Sequence, residues 1–596
     1  MQTFHHLIEH FKKQRWLFAF GVAALLCTNY IQQFLPLLLK RGLDALQSAG
    51  PHAAPAAQDY ALRMVLVWLG LRLGVVALQG ALRYGWRMGF FGMSRLVEYG
   101  LRRQLFEKLL SLQLSFFRRV TLGELLSRAT SDLAAIRESL GFGWLSLIDG
   151  VSTVGFTVTF MAKADARLTW IILLPMLGVP PLVVTLGRKV RELDRQAQAL
   201  LDGFSQTATE SFSGVRVIHA FAQQRAENAR FAVACRDYRD QQMRLVKVEA
   251  FYWPLLTLLA GGSELLLYNY GGARVAAHTL TVGGFAMFQD YLAQILWPVM
   301  ALGISSNMYM RGRVSMERLN QALDAPVEIT DPPMDEPVAP LSKDTPVLEL
   351  RDLRFGYGDA PEVLRGVSLS LAAGQWSGLA GRTGCGKSTL LRLVPRLDDP
   401  RGGRILLWGR ELRQWPLKAL RRRMAMVAQE PFLFSETLLE NIAFSHDGDP
   451  QERREDALEA ALAAGLGETL AGLPQGLDTL LGEKGVNLSG GQKQRVALAR
   501  ALFAKPDLLL LDDAFSAVDT ATEEAIVGGL RANLPQTAVL MVSHRVSTLR
   551  LCDWVLMLEH GKVDSEGNPQ ELMQQEGAFF EMARREQLAR RAGLGA

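Results

Sequence analysis

Apolar and polar positions fall into two rhythms along this chain. Up to about Asn307, long apolar runs alternate with arginine-rich stretches. A membrane span needs ~20 mostly apolar residues. Trp16–Leu39 and Leu168–Gly187 meet that length cleanly, and Ala61–Tyr84, Phe142–Ala162, Phe251–Gly271 and Gly284–Ile304 meet it despite internal charges. Taken alone, the weaker runs also fit buried helices of a soluble domain; the strong ones set a membrane context. Stretches such as LVEYGLRRQLFEKLLSL keep a helical rhythm, which predicts that the spans continue as helices into the cytoplasm. From Val347 the rhythm changes. VLELRDLRF reads as a strand, and short apolar runs then alternate with Gly-rich turns and helical stretches. The stretch between, 325–346, is rich in proline and acid and has little periodicity. The expected architecture is a six-helix, all-α transmembrane domain (1–324), a linker (325–346), an α/β domain (347–580) and a short tail (581–596).

Composition supports this division. The 596 residues exceed one core, and 49% hydrophobic with 21% charged fits a membrane part joined to a soluble part. The net charge of +5 is modest, and its arginines sit beside apolar runs. That placement marks the cytoplasmic side of a membrane and argues against a nucleic-acid partner. Lys12, Lys13 and Arg15 precede the first span, and Arg87, Arg95, Arg102 and Arg103 follow the second. GLDALQSAGPHAAPAAQD, between the two, carries no lysine or arginine. The N-terminus, the long polar stretches and the C-terminal half are therefore expected in the cytoplasm, and the chain in the cytoplasmic membrane. The first apolar run is longer than a signal-peptide core and reads as a retained helix. Cys27, Cys235, Cys385 and Cys552 are too scattered for a disulfide framework or a zinc site.

The candidate chemistry lies in the second half. GRTGCGKST, Gly381–Thr389, fits G-x-x-x-x-G-K-[ST] between the strand-like WSGLA and the helical STLLRLV. Gly381, Gly384 and Gly386 let backbone N–H groups approach phosphates at a helix start. Lys387 would reach the β- and γ-phosphates, Ser388 would hold Mg²⁺, and Thr389 completes the motif. Cys385 inside the loop reads as a small filler. LLLLDD, Leu508–Asp513, reads as a buried strand ending in two aspartates. An aspartate there either caps a following helix or holds a metal. Beside a phosphate loop, Asp512 is expected to hold Mg²⁺.

From here the residues resemble those of ATP-binding cassette (ABC) proteins. NLSGGQKQR (487–495) resembles the family signature, with Ser489, Gly490, Gly491 and Gln492 at its centre. Tyr357 resembles the adenine-stacking aromatic residue, Gln429 the Q-loop glutamine that also reaches the metal, and His544 the switch histidine. Asp519, in SAVD, resembles the D-loop aspartate, and GEKG (482–485) the X-loop. The resemblance covers nearly the whole chain and is narrowest to one subunit of bacterial heterodimeric multidrug exporters. It implies that two nucleotide domains meet head to tail, with each signature covering the other chain's ATP. It also implies coupling regions at about 115–132 and 204–221. Asp513 stands where the family usually has a catalytic glutamate. The resemblance therefore implies a slow ATP site here and a partner half-transporter that brings the glutamate; a homodimer in which aspartate suffices is the alternative.

The expected cargo is a small amphipathic or drug-like molecule, or a membrane lipid. An importer of siderophore-like compounds on the same fold is a further alternative. Asp149, Glu264 and Asp290 lie within proposed spans, where charge is costly. They read either as a polar cavity favouring cationic cargo or as groups paired with Arg63, Arg72 or backbone.

Overall fold

The computed structural model describes residues 4–48, 55–332, 345–516 and 520–591. Two compact units emerge. One holds Met1–Ser111 with Val120–Ala325; the other holds Leu112–Arg119 with Pro326–Ala596.

The first unit is helical. Among the described residues, five helices are long and apolar enough to cross a membrane: Arg15–Gln47, Asp59–Ser111, Leu122–Ala164, Ala166–Ser213 and Gln224–Ala276. The sixth run, Gly284–Ile304, falls on the helix Val282–Leu323, which is long enough to span. It is not among those five, because Gln289, Asp290 and Gln294 dilute its apolar character.

Local chemistry explains the breaks and close approaches. The first long helix is interrupted at Gln33, between Arg15–Gln32 and Phe34–Ser48. Pro36 has no N–H to offer the carbonyl of Gln32. At the break the carbonyl of Gln33 accepts from the Tyr291 hydroxyl at 2.8 Å, and the Gln33 side chain accepts from Thr157 at 3.1 Å. The polar groups of Gln33 are thus satisfied by two other helices, as a membrane interior requires. Lower down, Gly21 and Gly89 let two helices touch backbone to backbone. A Cβ on Gly89 would sit 2.4 Å from the Gly21 Cα. Gly89→Ala is therefore expected to cost about 1–3 kcal/mol through overpacking. The check is the unfolding temperature in detergent, with Gly85→Ala, which meets Phe20 at 3.4 Å, as the tolerated control.

The second unit is α/β, as its sequence rhythm predicts. Its strands are β1 (Leu348–Phe355), β2 (Leu364–Leu371), β3 (Trp376–Gly381), β4 (Gly402–Leu407), β5 (Arg410–Glu411), β6 (Met424–Val427), β7 (Leu508–Asp512), β8 (Ala538–Val542), β9 (Trp554–Glu559) and β10 (Lys562–Gly567). An antiparallel sheet runs β2-β1-β4-β5, and a six-stranded sheet runs β10-β9-β3-β8-β7-β6. In the larger sheet β9, β3, β8, β7 and β6 are parallel, and β10 closes one edge antiparallel. Every residue of β3, β7 and β8 is buried, which is why these strands read as unbroken apolar runs rather than alternating ones. A final helix, Ala578–Arg591, packs Phe579, Met582 and Ala583 on this core.

Candidate nucleotide site

In an open parallel sheet, ligands bind outside the carboxyl ends of the strands. Four adjacent strands deliver the candidate residues to that edge. The phosphate loop follows β3, His544 follows β8, Asp512 ends β7 with Asp513 next to it, and Gln429 follows β6. They line one cavity of about 560 Å³ together with Tyr357, Val363, Thr383, Gly384, Gly386, Lys387, Ser388, Thr389 and Val542.

The loop is shaped for phosphate. Gly386 has φ +111°, and a Cβ there would lie 2.7 Å from Leu364, so only glycine fits. Lys387 is buried at the start of the helix Lys387–Leu393, and its ammonium donates to the carbonyls of Gly381 at 2.7 Å and Arg382 at 3.0 Å. Cys385 Sγ lies within reach of the same ammonium at 3.9 Å, so all three of its protons have partners inside the loop, and a phosphate would take the place of one of them. Gly381 supplies that carbonyl rather than lining the cavity. Cys385 packs buried inside the loop.

The Ser388 hydroxyl donates to Asp512 at 3.1 Å. A hydroxyl and a carboxylate meeting beside a lysine-bearing phosphate loop are oxygen donors that would suit a hard cation such as Mg²⁺. Asp512 is only 5% exposed. Burial pushes its carboxyl above the usual range, against the pull of the Ser388 hydroxyl and of nearby Arg392 and Lys387. Asp513 is held in the left-handed region at φ +49°, and its N–H donates to the Val542 carbonyl at 3.0 Å. Its backbone position is therefore fixed by the neighbouring strand.

The signature residues stand apart from this cavity. Ser489 caps the helix Gly490–Phe503 through a reciprocal pair: Ser489 Oγ accepts from the Gln492 N–H at 3.3 Å, and Gln492 Oε1 accepts from the Ser489 N–H at 2.8 Å. Ser489 and Gly490 are exposed, and none of Ser489, Gly490, Gly491 and Gln492 lines the cavity. Asp519 lies outside the described residues.

The loop that carries His544 is braced from the chain's end. Glu586, on the last helix, accepts from the Val546 N–H at 2.6 Å. Sequence reading assigned no part to Glu586, nor to Thr383, although Thr383 lies within the quoted motif.

Residues 18–299 match the family description "ABC transporter transmembrane region", and residues 364–516 match "ABC transporter". The "probable multidrug resistance ABC transporter ATP-binding/permease protein YheI" of Bacillus subtilis is 33% identical over 98% of both chains. The chain belongs to the ABC transporter family. This ABC transporter is also 32% identical to the "multidrug resistance-like ATP-binding protein MdlA" of Escherichia coli, over 99% of this chain and 97% of that one. It is 30% identical to the "ATP-dependent lipid A-core flippase" of Syntrophus aciditrophicus, over 98% and 94%. Among solved structures, a bacterial Atm1-family ABC exporter with ATP bound matches with TM-score 0.77 and 27% identity, covering 96% of this chain and 99% of that one. The transporter is thus a multi-pass membrane exporter with membrane and ATP-binding regions fused on one chain, consistent with the inner membrane, and its ATPase domain couples hydrolysis to transport.

The membrane acids of this transporter do not converge. Asp149 accepts from Asn29 at 2.9 Å and lines a second cavity, of about 340 Å³, with Arg83, Arg87, Trp86 and Trp297 among others. Asp290 lies 3.9 Å from Arg72, while Glu264 is exposed. Arg63 pairs with Asp59 instead, at 2.9 Å. One acidic cavity built from all three acids is therefore not what the fold provides: they occupy different faces of different helices, and two arginines share the cavity with Asp149.

Proposed function

We propose that this chain is one half of a dimeric exporter, with a slow ATP site of its own and a partner chain that carries a catalytic glutamate. The observation that carries this is Asp513: an otherwise complete site ends in a side chain one methylene shorter than glutamate. Its carboxylate falls about one C–C bond (~1.5 Å) short, and a misplacement of ~1 Å can cost about 100-fold in rate. The hydrogen bond from Asp513 N–H to Val542 keeps the backbone from advancing to compensate.

In this reading Tyr357 stacks on adenine, the Gly381–Thr389 loop cradles the phosphates, and Lys387 faces the β- and γ-oxygens. Ser388, Asp512 and Gln429 would hold Mg²⁺, which when bound would supply neutralisation of phosphate charge. Asp513 orients water, and His544 senses the γ-phosphate. Ser489, Gly490, Gly491 and Gln492 serve the partner's nucleotide, which suits a signature that is exposed and away from its own cavity; Asp519 would join the dimer contact. Residues 1–324 form the six-helix membrane domain with its N-terminus in the cytoplasm, 325–346 the linker and 347–580 the nucleotide domain. The cargo is an amphipathic small molecule or lipid. Arg83 and Arg87 beside Asp149 suit a charged headgroup of mixed sign better than a purely cationic drug.

Native mass spectrometry of the chain, purified gently from its own membrane, tests the assembly. A one-to-one complex with a second ABC chain bearing glutamate at the position of Asp513 is the expected result. A homodimer would remove the heterodimer and leave aspartate at both sites.

A further inference from the structure

Leu112–Arg119 is a short segment whose neighbours on both sides belong to the membrane unit, yet it clusters with the nucleotide unit. Two contacts of its Arg118 stand out. The guanidinium donates to Asp398 at 2.8 Å, and Asp398 is buried. The same guanidinium lies over the ring of Tyr357, 4.5 Å from its centroid. Tyr357 is held on two further sides: its hydroxyl meets Thr389 Oγ1 at 2.9 Å, and Phe355 packs at right angles to it with ring centroids 4.9 Å apart. Tyr357 lines the nucleotide cavity and Arg118 does not. The arginine thus contacts a ring that lines the cavity without lining it itself.

We propose that Arg118 is a positioning residue for the nucleotide's base: it backs Tyr357 and makes the segment leaving the membrane unit part of the adenine platform. The chemistry is direct. A planar guanidinium on an aromatic face fixes the ring's orientation and is attracted by its π-electrons. Asp398 holds the guanidinium in plane, so the platform is assembled before a base arrives. A base packing on Tyr357 would then stabilise the ring that Arg118 touches, and the docked segment with it. By reciprocity, anything that pulls Leu112–Arg119 away weakens base binding by the same factor. The chain Asp398–Arg118–Tyr357–Thr389 ends beside Ser388, whose hydroxyl reaches Asp512. Base and metal ends of the site are thereby joined through adjacent side chains.

The inference rests on the cavity being the ATP site, and the test separates the two. Binding of a non-hydrolysable ATP analogue and of tripolyphosphate, both with Mg²⁺, is measured by calorimetry on the full chain in nanodiscs. Wild type binding neither ligand would defeat the ATP reading and this one with it. Arg118→Ala is expected to weaken the analogue about 5- to 10-fold and leave tripolyphosphate unchanged. Arg118→Lys, which keeps the charge beside Asp398 but lacks the plane, is expected to recover only part of that loss. In a Tyr357→Leu background the effect of Arg118→Ala should fall below about 2-fold, because the ring it acts through is gone. Equal weakening of both ligands would mean that stranding Asp398 loosens the domain, and would overturn the proposal. So would an unchanged analogue affinity, or an undiminished effect in the Tyr357→Leu background.

Discussion

Asp513→Glu is expected to raise ATP turnover by the purified chain about 10- to 100-fold, measured as phosphate release at saturating nucleotide. The argument is one of reach. The cavity, the phosphate loop and His544 are in place around Asp513, and the backbone that carries it is pinned to β8. A longer side chain is then the only change that moves the carboxylate toward an attacking water. Affinity for ATP should alter little, because Asp513 contributes orientation rather than binding. Equal turnover by wild type and variant would sink the slow-site reading and leave a chain in which aspartate is sufficient.

Asp512→Asn is expected to act in the opposite direction, lowering turnover at least ~100-fold while raising the Mg²⁺ concentration needed for half-maximal rate. The side chain keeps its shape and loses its charge. Folding separates from function here. Burial raises the Asp512 carboxyl above its ordinary value, so the folded protein binds this proton more tightly than the unfolded chain. Its contribution to stability is therefore greatest at low pH and is lost as pH rises through the folded value. At neutral pH without ligand, the uncharged asparagine should unfold at a temperature equal to or higher than wild type. A variant that lost both activity and stability would show that Asp512 serves the core rather than the metal.

The two neighbouring aspartates also show what the chain's pattern discloses and what it hides. LLLLDD announced a buried strand and a residue at its carboxyl end, because burial on both faces and strand length are local properties. GRTGCGKST announced a phosphate loop for the same reason: its glycines answer to local backbone geometry. The division into a helical and an α/β unit followed from apolar rhythm. Other features depended on partners distant in sequence. Glu264, Asp290 and Asp149 look alike as acids within apolar runs, but one is exposed, one lies near Arg72 and one bonds Asn29. Hydropathy cannot tell these fates apart, since each is decided by which helix lies alongside. The role of Arg118 was hidden in the same way. FFRRVTLGELL falls in a coupling region that the family resemblance implies, and only folding reveals that one of its arginines lies against Tyr357, more than two hundred residues later.

The bond from Val546 to Glu586 has a practical consequence for anyone handling this protein. Glu586 lies on the helix Ala578–Arg591, forty residues beyond the backbone it holds. Ending the chain before the last helix would remove the carboxylate that steadies the residue two positions beyond His544. A preparation shortened in that way would lose the brace together with the core contacts of Phe579, Met582 and Ala583, and its turnover would reflect those losses rather than the native chemistry.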